Sequence, residues 1–284
     1  MEKIEAGGQK FEICQINGHL KVAALPGMAD KISRGTGGNF LGVMEGYMAE
    51  ISALPLAFRT PPVFSFMLLP RGGMFRAVTG CPFEMGMAGA KVSLDKDFPL
   101  TLGVDETWFE NGFVGEDNIQ RKTGLCHELA HTIHSHWFMQ MANEGFAELL
   151  PHYLMDLEAH NPVHRQAVLG LSEKDLRTIK DIEFNGIFSA EDLAKYGNTQ
   201  ERKGYMSYYL WMLGYVICLQ EKYQLDKFGA VNLLLEKFRD LDQLSFAEKA
   251  AGAAESAGVT AEDLLNTLNF QLIGQKHLRQ RFGN

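Results

Sequence analysis

The stretch Leu125 to Glu148, LCHELAHTIHSHWFMQMANEGFAE, carries most of the chemical information in this sequence of 284 residues. It contains His127, Glu128 and His131 in the pattern His-Glu-x-x-His. Residues four apart on an α-helix share one face, so both imidazoles can reach one metal ion with the carboxylate beside them. A catalytic zinc takes three protein ligands and one water, and a nearby carboxylate can accept the proton of that water. The stretch therefore predicts one zinc ion per chain, with Glu128 as general base.

The third zinc ligand must come from another part of the chain, and Glu144 is the best candidate. Twelve residues separate it from His131, which is enough to end one helix, turn, and start a second helix that runs back past the metal. His134 is the competing possibility, but it lies about 10 Å along the helix axis from His127, too far to share an ion with it. We therefore expect His127, His131 and Glu144 to bind the zinc.

The acidic residue one turn after Glu144 is suited to supporting the ligands. Glu148 lies on the same helical face and can accept the second ring N–H of a ligand histidine, which fixes the tautomer of that histidine. We expect Asn143 to lie beside it in the same supporting role. The alternative to a zinc site is an amphipathic helix whose histidines are solvated or capped.

The motifs CHELAH and NEGFAE, at 126–131 and 143–148, together resemble the gluzincin metallopeptidases. In that family a glutamate from a second helix completes the zinc site that His-Glu-x-x-His begins. The resemblance implies that His127, His131 and Glu144 are ligands and that Glu128 is the general base. It also implies a zincin-like, two-lobed catalytic domain that hydrolyses peptide bonds in a peptide or protein substrate.

A strand is predicted at Met85–Asp95, just upstream of the zinc helix. In gluzincins an edge strand at this place pairs with the extended substrate, and the small residues Ala88, Gly89 and Ala90 would allow close approach. An ordinary core strand with a glycine bulge is the alternative. Aminopeptidase-type gluzincins carry an acidic residue here that binds the substrate amine, whereas 86–90 has none. The resemblance therefore implies an endopeptidase or oligopeptidase more than an aminopeptidase.

Gluzincins commonly add a tyrosine or histidine that stabilises the oxyanion together with the metal. The segment 202–223, RKGYMSYYLWMLGYVICLQEKY, is similar to the helix that follows the catalytic tyrosine in the aminopeptidase branch. Counting back from the end of that helix favours Tyr209, whereas proximity to its start favours Tyr205. Packing of these rings in an aromatic core is the alternative. The other histidines considered for this role are expected at the surface: His152, His160 and His164.

The predicted fold is α+β, with a small mixed sheet and helices in an N-terminal lobe and a mainly helical C-terminal lobe. Alternating hydrophobicity, turn residues and helical periodicity give the elements. They are a β-hairpin over 11–25, a helix within 28–54, a strand over 62–70, a loop over 98–116, the zinc helix from about 117, and helices after Pro151. The lobes are predicted as 1–116, with the substrate strand, and 117–284, with the zinc-site helices.

Composition limits the partners and the compartment. The net charge of −8 and the pI near 5.6 argue against a nucleic-acid partner. The N-terminus has no apolar stretch typical of a signal peptide, and no run of eighteen apolar residues occurs, so we expect a cytoplasmic protein without a membrane partner. Cys126 lies beside the first ligand but should face away from the ion and pack in the core. The sequence leaves the oligomeric state open.

Two other functions remain possible from the sequence. A zinc hydrolase that cleaves a non-peptide amide would use the same residues. A zinc-containing binding protein without turnover would keep the ligands but leave no exchangeable water on the ion.

Overall fold

The computed structural model describes residues 2–18, 20–28, 40–57, 64–81, 87–94, 101–106, 116–131, 133, 140–176, 190–240, 244, 246–265 and 267–283. The chain divides into two compact units, Met1–Leu54 with Phe58–Ile133, and Pro55–Ala57 with His134–Asn284. The His-Glu-x-x-His helix belongs to the first unit. The predicted boundary after residue 116 would put it in the second, so the division differs from that prediction.

The first unit contains a six-stranded mixed sheet in the order β1-β2-β3-β4-β6-β5. Its strands are β1 (Lys3–Ala6), β2 (Gln9–Asn17), β3 (Leu20–Ala24), β4 (Phe64–Leu69), β5 (Met87–Gly89) and β6 (Leu102–Asp105). Strands β3, β4 and β6 run parallel, and the other neighbours are antiparallel. The predicted hairpin over 11–25 is confirmed as β2 and β3, and the predicted strand over 62–70 as β4.

The central strand β4 explains why this part of the chain folds as a sheet. All six of its residues, FSFMLL, are buried, as expected for a strand with parallel neighbours and both faces covered. On one side, Phe64 pairs with Leu20 and Phe66 with Val22 of β3. On the other side, Phe66 pairs with Leu102 of β6. These contacts make β4 the core strand of the first unit.

Strand β6 corrects the predicted loop over 98–116. Its residues LGVD are all buried, and it lies between β4 and β5. Glycine and aspartate have low strand propensity, and only four residues carry the element. Its conformation is therefore set by the two strands that pair with it.

Among the described strands, β5 lies at the edge of the sheet, as predicted, but it ends at Gly89, well before the predicted end at Asp95. Within the described residues it pairs with β6 only, with Ala88 opposite Gly103 and Gly89 opposite Leu102. The Ala90 N–H still donates to the Thr101 carbonyl at 2.6 Å, but the next N–H, of Lys91, donates to Val78. The chain leaves the sheet at this point.

Three helices of the first unit are described: α1 (Phe40–Ser52), α2 (Gly73–Thr79) and α3 (Glu116–Ala130). Helix α3 begins within one residue of the predicted start of the zinc helix. Lys122 joins α3 to α1, because its ammonium group pairs with Glu50 and lies 5.1 Å from the centre of the Tyr47 ring. The part of the predicted helical region at 29–39 lies outside the described residues.

The second unit is helical in its described part. It begins with α4 (Gln140–Leu149), a π-helical turn (Leu150–Leu154), a 3-10 turn (Leu157–His160) and α5 (Pro162–Leu169). It continues with α6 (Ala190–Tyr223), α7 (Lys227–Asp240), α8 (Phe246–Ala257), α9 (Ala261–Leu265) and α10 (Leu268–Phe282). Together the two units make an α+β chain with a small mixed sheet and a mainly helical remainder. Among the described helices, none combines the length and apolar character needed to cross a bilayer.

Helix α6 is the core of the second unit and packs on α4 and α10. Its segment 208–216 is completely buried and includes Trp211 and Tyr215. Gly214 makes the close packing possible, because a Cβ added there would overlap the backbone carbonyl of Phe270 in α10. Gly145 of α4 has the same role, since its Cβ would lie 2.7 Å from the Tyr208 carbonyl oxygen.

We predict that Gly214→Ala lowers the free energy of unfolding by about 1–3 kcal/mol or more, because the added methyl group forces α6 and α10 apart. Chemical denaturation of the full chain measures the change. Gly46→Ala in α1 is the control, since a Cβ there meets nothing within 4 Å and should stabilise the helix by up to about 1 kcal/mol. Equal effects of the two substitutions would contradict the close approach.

Candidate metal centre

The His-Glu-x-x-His residues lie where α3 ends. His127 is in the last turn of the helix and is only 8% exposed. The helix ends at Ala130, so His131 is the first residue after it, and its N–H donates to the Glu128 carbonyl at 3.2 Å. The donor and acceptor of this hydrogen bond are three residues apart instead of the four of an α-helix, so the final turn is tighter, as is common at helix ends. Glu128 is half-buried on the same turn.

The two imidazoles are arranged as expected for ligands of one ion. Their ring centres lie 5.2 Å apart and their planes are nearly perpendicular, at 83°. A zinc–nitrogen bond of roughly 2.0–2.1 Å puts each ring centre about 3 Å from the ion, so two rings at a tetrahedral angle lie about 5 Å apart. His127 and His131 therefore fit a zinc ion, and Glu128 provides the adjacent carboxylate.

Cys126 is packed in the core, as the sequence predicts. It is completely buried, and burial raises the pKa of its thiol to about 12, while the positive charge of Lys122 opposes this shift. A thiol of this kind is protonated at neutral pH in the metal-free protein, so it is not an activated nucleophile.

In the second unit, α4 carries the predicted third ligand and its supporting residues. Asn143, Glu144 and Glu148 are half-buried, whereas the intervening Gly145 is buried against α6. The two glutamates lie one helical turn apart, as the spacing predicts. The turn that would join α3 to this helix, at 134–139, lies outside the described residues.

A second cluster of histidines and glutamates lies at the end of α4, and the sequence analysis did not find it. We call it the Glu148 cluster; it consists of Glu148, His152, Glu158 and His164. His152 Nε2 lies 3.1 Å from Glu148, and His152 Nδ1 lies 3.1 Å from Glu158. His164 Nδ1 lies 3.0 Å from the same Glu158 oxygen. Two of the four residues, His152 and His164, therefore meet at the carboxylate of Glu158, which is completely inaccessible to solvent.

Local structure explains how these residues come together. The chain leaves α4 through the π-helical turn at Leu150–Leu154, in which the Met155 N–H donates to the Leu150 carbonyl. This turn carries His152 inward, where it is 3% exposed. Asn161 then caps α5 by accepting the His164 N–H at 3.1 Å, which places His164 in the first turn of that helix.

The surface position predicted for His152 is wrong, since this ring is buried. His164 is half-buried, whereas His160 is exposed as predicted. The i, i+4 spacing of Glu148 and His152 was the available signal, because such a pair lies on one helical face. Nothing local in the sequence indicated that Glu158 would be buried.

Ionisation within the Glu148 cluster is strongly perturbed. Burial alone would lower the pKa of His152, but hydrogen bonds to Glu148 and Glu158 and their negative charges outweigh burial and raise it. Burial likewise would raise the pKa of Glu158, but hydrogen bonds from His152 and His164 and their charges lower it. His152 and Glu158 are therefore both charged at neutral pH.

The two candidate tyrosines have different environments. Tyr209 is completely buried, and its ring centre lies 5.4 Å from that of His152 and 5.8 Å from that of His164. Burial raises the pKa of its hydroxyl well above the ordinary value of a tyrosine. Tyr205 is half-buried and lies edge-on to Tyr208. Of the two candidates, only Tyr205 presents accessible surface to a substrate.

Searches against protein families, curated proteins and solved structures gave no significant match to this chain. The residues themselves therefore carry the functional argument.

We predict that the Glu148 cluster stabilises the fold most between about pH 4.5 and 6.5. A raised histidine pKa stabilises below its ordinary value of 6.5 and loses this effect as pH rises. A lowered carboxyl pKa stabilises above its ordinary value of 4.5 and loses this effect as pH falls. Urea unfolding of Glu158→Gln should therefore differ most from wild type within this window.

His160→Ala is the matched control for this measurement, because it removes an exposed imidazole from the same region. The free energy of unfolding of this variant should stay close to that of wild type at every pH. The ion-pair account would be contradicted if the free energies of unfolding of Glu158→Gln and wild type differed by the same amount from strongly acidic to alkaline pH.

Proposed function

We propose that this protein is a zinc-dependent metallopeptidase in which His127, His131 and Glu144 bind the ion and Glu128 is the general base. The observation that carries the proposal is the perpendicular arrangement of the His127 and His131 rings, 5.2 Å apart, at the end of α3. Two imidazoles and one carboxylate are a ligand set that catalytic zinc sites use.

Zinc bound there would polarise the substrate carbonyl and lower the pKa of a water molecule. The protein's own contribution begins with Glu128, whose carboxylate accepts the proton of the attacking water and later returns it to the leaving amine. Glu144 contributes the negative charge that balances the ion. Glu148, one turn further along α4, would accept a hydrogen bond from a ligand histidine and so fix the orientation of its ring.

We further propose an extended peptide as the substrate, bound along β5. This strand is the edge of the sheet among the described strands, and Gly89 in it is exposed. A peptide can add to such an edge through main-chain hydrogen bonds. Ala88 and Ala90 have small side chains, so the backbone of the substrate can approach closely. The absence of an acidic residue in 86–90 favours cleavage within a chain over release of an N-terminal residue.

For Tyr205 we propose the role of oxyanion donor in preference to Tyr209. An oxyanion donor must reach the reacting carbonyl oxygen, and the hydroxyl of Tyr209 is completely buried. Tyr205 lies one helical turn earlier on α6 and is half-buried.

We predict that Glu128→Gln abolishes peptide hydrolysis while the protein still binds zinc. The amide keeps the shape of the side chain but cannot accept the proton, and the general base contributes about 100- to 10,000-fold to the rate. A fluorogenic peptide library assayed with zinc-loaded protein measures the activity. Retained activity in the variant would exclude Glu128 as the base, and a wild-type protein that cleaves only non-peptide amides would exclude the peptidase.

Glu144→Ala is predicted to weaken zinc binding sharply, because it leaves only two protein ligands. Elemental analysis and chelator competition on the purified chain measure the loss. Glu262→Ala is the control, since Glu262 is an exposed acid on α9 and its removal should change nothing. Equal zinc content in all three proteins would show that the third ligand is not Glu144.

A further inference from the structure

The Glu148 cluster lies at the end of the helix that carries the proposed ligand Glu144. We propose that His152 is a positioning residue, which fixes the Glu148 carboxylate through a hydrogen bond while Glu158 and His164 hold His152 in place. This inference rests on the proposed zinc site, because Glu148 is taken to support the ligands of that site. It assigns a task to His152, Glu158 and His164, which the proposed reaction does not otherwise use.

The contacts form one continuous chain. The Glu148 carboxylate meets His152 Nε2 at 3.1 Å, and the opposite nitrogen of the same ring meets Glu158 at 3.1 Å. Glu158 also meets His164 Nδ1, at 3.0 and 3.2 Å from its two oxygens. The His152 ring thus lies between two carboxylates at ion-pair distance, and the Glu158 carboxylate lies between two imidazoles. Turning the ring would separate it from both carboxylates.

The same residues could also be taken for a second metal site, because Glu148, His152 and His164 offer ligand atoms within 4.8 Å of one another. The ring planes argue against it. His152 and His164 are stacked, with ring centres 3.7 Å apart and planes 8° from parallel. The lone pair of an imidazole nitrogen lies in the ring plane, so two parallel rings direct their lone pairs side by side instead of toward one ion. The ring planes of His127 and His131 are instead nearly perpendicular, so the two planes intersect and allow a nitrogen of each ring to face a common point.

Charge balance supports the hydrogen-bonded arrangement. Glu158 is completely buried, and a buried carboxylate without a partner costs several kcal/mol. The raised pKa of His152 and the lowered pKa of Glu158 mean that opposite charges face each other at neutral pH. Hydrogen bonds between charged groups are shorter and stronger than neutral ones. The charged His152 therefore attracts the Glu148 carboxylate, 3.1 Å away, and favours one orientation of it.

Residues that orient metal ligands typically change metal affinity by 10- to 100-fold when they are replaced. Glu148→Gln should therefore weaken zinc binding by about 10- to 100-fold. His152→Leu should produce a similar loss, because it releases the same carboxylate. Since His152 acts through Glu148, the double variant should bind zinc no more weakly than Glu148→Gln alone. If His152 had only a structural role, the loss of zinc affinity in the double variant would be the product of the losses in the two single variants.

The experiment is chelator competition for zinc on the full-length chain, with the four members of this double-variant cycle. His152→Gln is the conservative variant, which keeps one donor for Glu148 and should recover part of the affinity. His160→Ala is the control and should bind zinc like wild type. If His152→Leu does not fold, Glu158→Gln provides the same test, since it removes the charge opposite His152 and leaves the shape unchanged.

Native zinc affinity in folded His152→Leu or Glu158→Gln would overturn the inference and leave the proposed function intact. Two zinc ions per wild-type chain, with the second lost in His152→Leu, would overturn it in favour of a metal site. A wild-type chain that binds no zinc would instead refute the proposed function. In that case the same four proteins are compared by thermal melting without metal, which tests the contact between Glu148 and His152. If the contact exists, the double variant melts at a higher temperature than the sum of the two single decreases predicts.

Discussion

Close backbone contact with α6 is the constraint on which the arrangement of the second unit depends. Gly145 lets α4 lie against the Tyr208 carbonyl, and Gly214 with Gly274 does the same for α10. Helix packing at this distance leaves little freedom for either helix to rotate or slide. Glu144 and Glu148 are therefore presented by a rigid element, which suits the proposed ligand and its proposed supporting residue.

The two pairs of histidines show that residue type alone does not define a metal site. His127 and His131 have nearly perpendicular rings, and His152 and His164 have parallel ones. Only the first pair can direct two nitrogen lone pairs to a common point. The second pair shares the buried carboxylate of Glu158 instead, which fits the positioning role that we propose for His152.

Local signals predicted the elements whose conformation is decided locally. Turn residues within 11–25 gave the hairpin, and the apolar run PVFSFMLLP over 62–70 gave β4. The His-Glu-x-x-His spacing gave helix α3, although α3 ends at Ala130, one residue before His131. Strand β6 was missed because LGVD forms a strand only between β4 and β5, a relation that involves residues distant in sequence. The Glu148 cluster was missed because Glu158 comes from the separate 3-10 turn, and no local pattern in the sequence shows that it is buried against His152 and His164.

The most direct test of the proposed site is zinc K-edge X-ray absorption of the purified, zinc-loaded protein. The account predicts only nitrogen and oxygen neighbours at roughly 2.0–2.2 Å, with two imidazole rings contributing the outer scattering. Sulfur scattering at about 2.3 Å would contradict it, because a cysteine such as Cys126 would then be a ligand. A spectrum with one imidazole or none would also contradict it, since His127 and His131 would not share the ion.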